Sequence, residues 1–324
     1  MVYISLPDET QHRLSFYLAM EEYVARTIDE RDSFFMWQVE PSVIFGRNQL
    51  IETEVNVDYC RANAIQMYRR KSGGGCVYAD MSNVMFSYVT KDEAVNFTFG
   101  KYVSMVVLVL RRLGLDAKAS GRNDILIGDR KVSGNAFYHV PGRSIVHGTM
   151  LYDTNMQNML GAITPSTEKL TSKGIQSVRQ RIALLKDYLD ISLEQFKTFV
   201  RENLCEGELQ LTQDDVERIR EIEKEYLTEE FIYGNNPRYT ITKKRHLDGV
   251  GDMEVRLEMK NNVIKSMTVL GDFFITSNID NDLIKPLTNR RLSEDSLNEA
   301  LPPDLSNVVM GLKRKAFVDL LTKD

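Results

Sequence analysis

Residues 69 to 80 read RRKSGGGCVYAD, with three adjacent glycines, Gly73 to Gly75, behind two arginines and a lysine. Each glycine loses more backbone entropy on folding than alanine would, so a run of three weakens any helix or strand. Placed after a strand, the same run exposes backbone N–H groups and lets a ligand approach the main chain, as phosphate cradles do. No Gly-Lys-Ser/Thr follows as in a Walker A loop, and there is no G-x-G-x-x-G. On these residues alone a tight turn, a strand bulge and a ligand loop all stay open. Arg69, Arg70 and Lys71 tip the balance toward an anion.

Reading outward, "AIQMYRR" (64–70) predicts the strand that enters the glycines, and "NVMFSYVT" (83–90) a strand beyond them, with Val84, Phe86 and Tyr88 on one face. Strands are also predicted at 2–6, 34–39 and 42–46, and a helix across 53–63. From Thr10 to Ile28 the period is helical, with Leu14, Leu18, Ala25 and Ile28 on one face. Glu21 falls on that same face. A carboxylate facing a core needs a partner, and a buried ion pair with an arginine or a functional role would each account for it. Tyr102, Val106, Val109 and Leu113 form another helical stripe, closed by Gly114. "DILIG" and "KVSGNAFYH" predict strands joined by a Gly128-Asp129 turn, followed by a strand over 144–153 and helices at 192–204 and 212–226.

The turn formers of "YGNNPRY" (233–239) mark a boundary. Beyond it Met253, Val255, Leu257 and Met259 alternate with Glu254, Arg256 and Glu258, and Asn261-Asn262 turns this strand into "VIKSMTVL". Two helices, near 280–289 and 305–321, complete a small α+β domain. The expected organisation is 1–232, a linker over 233–239, and 240–324.

With 324 residues the chain has room for about two domains. A net charge of −5 argues against nucleic acid as a partner. No apolar run approaches the roughly 20 residues of a membrane span, and the N-terminus does not read as a secretory signal. Cys60, Cys76 and Cys205 are scattered and lack a CxxC, which disfavours both a disulfide framework and a zinc site. A reduced, cytoplasmic protein with no membrane partner is the expectation.

A second constellation is "GRNDILIGDRKVSGNAF" (121–137). Asp124 precedes one predicted strand and Lys131 begins the next, so the two can face each other across the ladder. They could form a plain surface salt bridge, or a metal-holding carboxylate beside a lysine that meets a phosphate.

In their order and spacing, RRKSGGGCVYAD, GRNDILIGDRKVSGNAF and HGTMLYD (147–153) resemble the lipoate–protein ligases. FYLAMEEYV (16–24) is similar to that family's first helix, LTSKGIQSVRQRI (170–182) to its segment beyond the core strands, and the part after YGNNPRY to its accessory domain. The resemblance implies an α+β fold: a mixed-sheet, lipoyl/biotin ligase-like catalytic domain followed by a small α+β accessory domain. It implies activation of free lipoate with ATP to lipoyl-AMP, and transfer to a lysine of lipoyl-domain acceptors (2-oxoacid dehydrogenase E2 subunits, glycine cleavage H protein). Magnesium is implied, and no tightly bound prosthetic group.

Carried onto this chain, the resemblance makes Lys131 the catalytic lysine bridging acyl carbonyl and phosphate. It gives the nucleotide to Arg70, Ser72, Gly73, Gly74, Gly75, Cys76, Val77, Tyr78, Asn123 and Ser133. It gives lipoate to Lys131, Gly74 and His147, and magnesium to Asp124. Many members close the first motif with His-Asp; here Ala79 replaces the histidine and Asp80 remains. Cys76 stands where alanine is frequent, and reads as a buried, inert thiol. Ser144, three residues before His147, occupies the position of the nucleophilic cysteine of octanoyltransferases. This disfavours a thioester route, but leaves a transferase using a preformed acyl donor as the alternative.

Overall fold

A computed structural model describes residues 1–28, 32–47, 49–91, 95–120, 123–163, 180–233, 239–271 and 273–323, with backbone only at 52, 53, 95, 96 and 239. Most of the 170–182 segment and residues 234–238 of the linker lie outside the described residues. Contacts divide the chain into Met1–Asn235 and Asn236–Asp324.

The first unit is built on a mixed sheet of eight strands. In chain order its strands are β1 (Val2–Ser5), β2 (Ser33–Trp37), β6 (Val84–Lys91), β7 (Ala117–Ala119), β8 (Asp124–Ile127), β9 (Arg130–Val140), β10 (Arg143–Met150) and β11 (Gly207–Gln210). They lie in the order β11-β1-β2-β6-β10-β9-β8-β7. Only the β11–β1–β2 pairings are parallel; the rest are antiparallel. Both faces of the central strands are buried. Along β10, Ile145 joins the core under helix α1 (Leu14–Thr27), and the next residue, Val146, joins the core under the long helix Val95–Arg112. That alternation also sends His147 toward α1. On the long helix Tyr102, Val106 and Val109 are buried as their spacing predicts, each contributing about 1.5–3 kcal/mol. The helix ends just before Gly114, whose φ is +83°.

A smaller sheet carries the glycines. Its strands are β3 (Ser42–Phe45), β4 (Gln66–Arg69) and β5 (Val77–Ala79), with β3 in the middle, parallel to β4 and antiparallel to β5. The loop from Arg70 to Cys76 therefore joins the sheet's two edges across the end of β3. Gly46, directly after β3, makes this possible: a Cβ there would sit 2.2 Å from the Gly74 carbonyl oxygen.

Several expectations change. The helix predicted across 53–63 is two short helices, Ile51–Glu54 and Val57–Ala62, the second capped by the Asn56 side chain on the Tyr59 N–H. Strand β11 was not predicted; its four residues are all exposed, so no alternation marks it. In the second unit the hairpin is Gly251–Lys260 with Val263–Gly271, turned by Asn261 and Asn262 at φ 56° and 57°. Met253, Val255, Leu257 and Met259 are fully buried. A third strand, Tyr239–Leu247, pairs with the first of these, although its run "TKKRH" is polar on both faces. The helices are a π-helical turn, Asp280–Ile284, running into Lys285–Leu287, then Glu294–Ala300 and Arg314–Thr322; none of the predicted 305–313 portion is helical.

Candidate active site

The glycine loop is organised by one buried guanidinium. Arg70, 5% exposed, donates from Nε to Ser72 Oγ at 2.9 Å and from Nη1 to the Ile44 carbonyl at 3.0 Å. Its Nη2 donates to the carbonyls of Gly73 and Gly75 at 2.6 and 2.8 Å. In trans peptides these carbonyls direct the following N–H groups, those of Gly74 and Cys76, away from the guanidinium. Gly74 has φ +89°, which a side chain at that position would strain. Burial lowers the pKa of Arg70 to about 10, which still leaves the group charged at neutral pH. Arg69, also buried, donates to the carbonyls of Gly46, Arg47, Gln49 and Ile232. Both arginines bind the loop's surroundings through carbonyl oxygens.

Lys131 is held differently. Its backbone is pinned: its N–H donates to Arg181 at 2.8 Å, and its carbonyl accepts from Ala183 at 2.7 Å. Its side chain is 40% exposed, with Nζ 2.9 Å from Asp124 Oδ1. The two strands carry a bulge between Ile125 and Leu126 that brings the pair together. The ammonium lies off the line of a hydrogen bond, so Asp124 Oδ1 is buried without a hydrogen-bond partner. Gly134 leaves the lysine room, since a Cβ there would meet Nζ at 2.7 Å.

A third group crosses behind the loop. Ser72 Oγ lies 2.7 Å from His147 Nε2, and His147 Nδ1 lies 2.8 Å from Glu21 Oε2. Ser87 donates to Glu21 Oε1 at 2.6 Å. The arginine pairing considered for Glu21 is thus replaced by a histidine and two hydroxyls, because β6, β9 and β10 present Ser87, Tyr138 and His147 under α1.

These groups meet at a cavity of about 110 Å³. One part of its wall is apolar: Leu18, Trp37, Ile44 and Met85. The rest includes Gly74, Gly75, Cys76, Val77, Lys131, Gly134, the Asn123–Asn135 pair, Arg70 and His147. Of the residues expected from sequence, Arg70, Gly74 to Val77, Asn123, Lys131 and His147 line this cavity, and Asp124 reaches it through Lys131. Four do not. Ser72 is buried behind the loop, and Gly73 faces a larger cleft of about 660 Å³ with Arg47, Lys71, Phe137 and His139. Tyr78 points into the core beside Val43 and Phe45, on the opposite side of β5 from Val77. Ser133 is buried, its hydroxyl on Asn135 Oδ1 at 3.3 Å. Tyr78 follows from strand alternation, which turns it to the opposite face of β5 from Val77, whereas Ser133 is in step with the cavity-lining Asn135 and is covered by its side chain.

Ala79 is fully buried and Asp80 accepts from the N–H groups of Ser82 and Asn155, so this pair braces the motif's exit. Ser144 is buried, 3.0 Å from His139, and does not line the cavity. Cys76 lines it, but burial pushes its thiol up to about 12. Asn135 was missed by sequence reasoning. It exchanges hydrogen bonds with Asn123, and lies so close to Gly148 that a Cβ there would be 1.9 Å from Asn135 Oδ1. Its signal was a polar residue between two small ones on β9. The apolar wall carried no signal beyond ordinary core pattern. Among the described residues no helix is long and apolar enough to cross a membrane, and no cluster of three metal-ligating side chains exists.

Comparison with known proteins gives this geometry its context. The family profile of the lipoyl protein ligase A/B catalytic domain matches residues 14–205, and that of the bacterial lipoate protein ligase C-terminus matches 236–321. Lipoate-protein ligase LplJ of Bacillus subtilis is 34% identical over 94% of this chain and 95% of its own length. A bipartite lipoate protein ligase from Thermoplasma acidophilum, from a study that includes its E2 lipoyl domain, superposes with a TM-score of 0.64. It is 30% identical, over 72% of this chain and 96% of its own. A lipoate-protein ligase A bound with ATP gives 0.62 at 27% identity, over 71% and 97%. On these matches, which together span both units, the chain belongs to the lipoate–protein ligase family.

Proposed function

We propose that this protein activates free lipoate with ATP to lipoyl-AMP, releasing pyrophosphate, and then acylates one lysine of a lipoyl-domain acceptor protein. The observation that carries this reading is that one cavity is lined both by the apolar side chains of Leu18, Trp37, Ile44 and Met85 and by Lys131 and the loop residues Gly74 to Val77. The apolar wall suits the hydrocarbon chain of lipoate. The lipoate carboxylate attacks the α-phosphorus, the bond to pyrophosphate breaks, and a mixed anhydride forms. The acceptor amine then attacks the acyl carbonyl, AMP leaves, and the amine loses a proton. Negative charge grows on the phosphate in the first step and on the carbonyl oxygen in the second. One mobile ammonium at Lys131 can meet both. No enzyme nucleophile is required, in keeping with a Cys76 thiol held protonated and a Ser144 outside the cavity.

Magnesium fits the donors present. Such an ion takes one or two carboxylates and completes its shell with phosphate oxygens and water. Asp124, with its buried oxygen lacking a hydrogen-bond partner, and the neighbouring Asn123 would hold it. When bound, it supplies charge that offsets the phosphates. The nucleotide phosphates are assigned to loop N–H groups and Lys131 rather than to the guanidinium of Arg70, whose donors already face carbonyls. The decisive experiment is lipoate-dependent ATP–pyrophosphate exchange. Its presence establishes activation. Its absence, with transfer from supplied lipoyl-AMP retained, would establish a transferase that uses a preformed donor.

A further inference from the structure

We propose that Glu21, which lines neither the cavity nor the adjoining cleft, is a positioning residue for adenylation. It acts by fixing the direction of a buried hydrogen-bond chain that ends on the glycine loop. The proposal rests on the adenylation reading above and adds a residue and a mechanism to it.

The direction follows from the two ends. Arg70 can only donate, and it donates from Nε to Ser72 Oγ. At the other end an ionised Glu21 can only accept. Its neighbours Ser87 Oγ, Tyr138 OH and His147 Nδ1 can all serve as donors, at 2.6, 3.4 and 2.8 Å. His147 Nδ1 therefore carries a proton. Ser72 Oγ accepts from Arg70, and among the described contacts the only acceptor for its own proton is His147 Nε2, 2.7 Å away, so the arrangement that leaves no proton unpaired has Ser72 donating to His147. Every link is satisfied by one arrangement: neutral His147, protonated on Nδ1. Glu21, Ser72 and Arg70 are buried to 0, 1 and 5% exposure, and His147 to 6%, so water offers little substitute for a broken link.

The chain has consequences at both ends of the cavity. Ser72, held between His147 and Arg70, fixes the guanidinium that gathers the Gly73 and Gly75 carbonyls. On the other side Ser87, which donates to Glu21, accepts from the indole N–H of Trp37 at 2.8 Å, and Trp37 is part of the apolar wall. One carboxylate thus holds the loop and the wall in register.

The Ser72–His147–Glu21 array has the spacing of a nucleophilic triad. Two observations set it apart. Ser72 does not line the cavity, and its oxygen accepts from a guanidinium. It is a tether, and no acyl group passes to it.

The test uses the full-length protein labelled with ¹⁵N-histidine, with His147→Gln to assign the signal. In the unmodified protein the side-chain spectrum should show His147 neutral, with its proton on Nδ1 and a bare Nε2. Glu21→Gln puts an amide donor among donors; the tautomer should become mixed or switch, and lipoate-dependent exchange should fall about 10²-fold with a raised KM for ATP. Ser72→Ala should cost about tenfold, and Glu21→Gln/Ser72→Ala should be no worse than Glu21→Gln, because both act through one chain. The proposal is overturned by a wild-type proton on Nε2, by an unchanged tautomer in Glu21→Gln, by losses that multiply, or by an acyl-Ser72 adduct. If Glu21→Gln does not fold, Ser72→Ala decides: unchanged exchange overturns the chain, a tenfold loss supports it. A wild-type protein without exchange activity would defeat the functional reading instead, and the tautomer measurement would still stand.

Discussion

Arg70 and Lys131 are two cations lining one cavity, and they are held in opposite ways. Arg70 is nearly sealed from water, and its bonds run to three carbonyls and a hydroxyl. Lys131 has a pinned backbone and a half-free side chain, with a carboxylate 2.9 Å away. Both were expected from sequence to touch phosphate. The structure separates a cation bonded into the glycine loop from one whose side chain is partly exposed beside a carboxylate. A planar fork of donors suits the first position, and a compact ammonium on a flexible stem suits the second.

Substitution should break this comparison cleanly. Arg70→Leu removes one fork and leaves four acceptors without their donor. At about 1–3 kcal/mol for each buried group left unsatisfied, partly relieved by relaxation, the loss should be roughly 3 kcal/mol or more, or about 10 °C in melting temperature. Adenylation should vanish with it. Thermal unfolding together with pyrophosphate exchange measures both, and an unshifted melting curve would show that the fork is dispensable.

Lys131→Ala should give the reverse pattern. Exchange should fall by about 10²–10³, the usual loss for one charge-stabilising donor. Stability should change by no more than about 1 kcal/mol, because the pair with Asp124 is only partly buried. Full exchange activity in a folded Lys131→Ala protein would remove the lysine from the mechanism.

Glycines sharpen the contrast within the loop itself. Gly74→Val must adopt φ near +89° and crowd Arg70 Nη2, where even a Cβ would lie at 3.1 Å. Gly75 has no such conflict: no atom lies within 4 Å of its Cβ position. Gly74→Val should therefore lose stability and nucleotide affinity together, about tenfold or more in the latter, at roughly 1–3 kcal/mol of strain. Gly75→Val should fold normally and lose affinity only by occupying the cavity. Calorimetric titration with ATP, beside thermal unfolding, separates them; equal melting temperatures would mean that Gly74 is not strained.

These differences also mark what the sequence could and could not convey. The eight-stranded sheet was legible where an apolar run or a polar turn marked it, as in "NVMFSYVT", buried along nearly its whole length, and the Gly128-Asp129 turn. Strand β11 was not, because an exposed edge strand has no inside to pattern it, and Tyr239–Leu247 was not, because its inner positions between Ile241 and Leu247 are the half-buried Lys243 and Arg245. The site was legible as a set of motifs but not as a division of labour. Which of two adjacent motif residues faces the ligand depends on strand register, which placed Val77 in the cavity and Tyr78 in the core. Glu21 was visible as an anomaly, a carboxylate on an apolar face. Its partner lies 126 positions away, and that pairing exists only once β10 has packed under α1.

The smallest effect concerns Cys76, which lines the cavity between these two cations. A thiol there invites the idea that it takes up the acyl group. Burial pushes its pKa up to about 12, and the charge of Arg70 recovers only part of that shift. At pH 8 the thiolate fraction is then far below the roughly one quarter of a free cysteine. Cys60 and Cys205 are both raised to about 11 by burial, so neither should mask the result. Iodoacetamide at pH 8 should leave exchange activity intact over a time that fully modifies free cysteine. Cys76→Ala should change the rate by less than about twofold, since it removes one small, partly buried group and no charge. Rapid single-site alkylation at Cys76, blocked by lipoate and ATP, would show a thiolate at the site. It would also mean that the field of Arg70 reaches the cavity as well as the loop, against the separation drawn between Arg70 and Lys131.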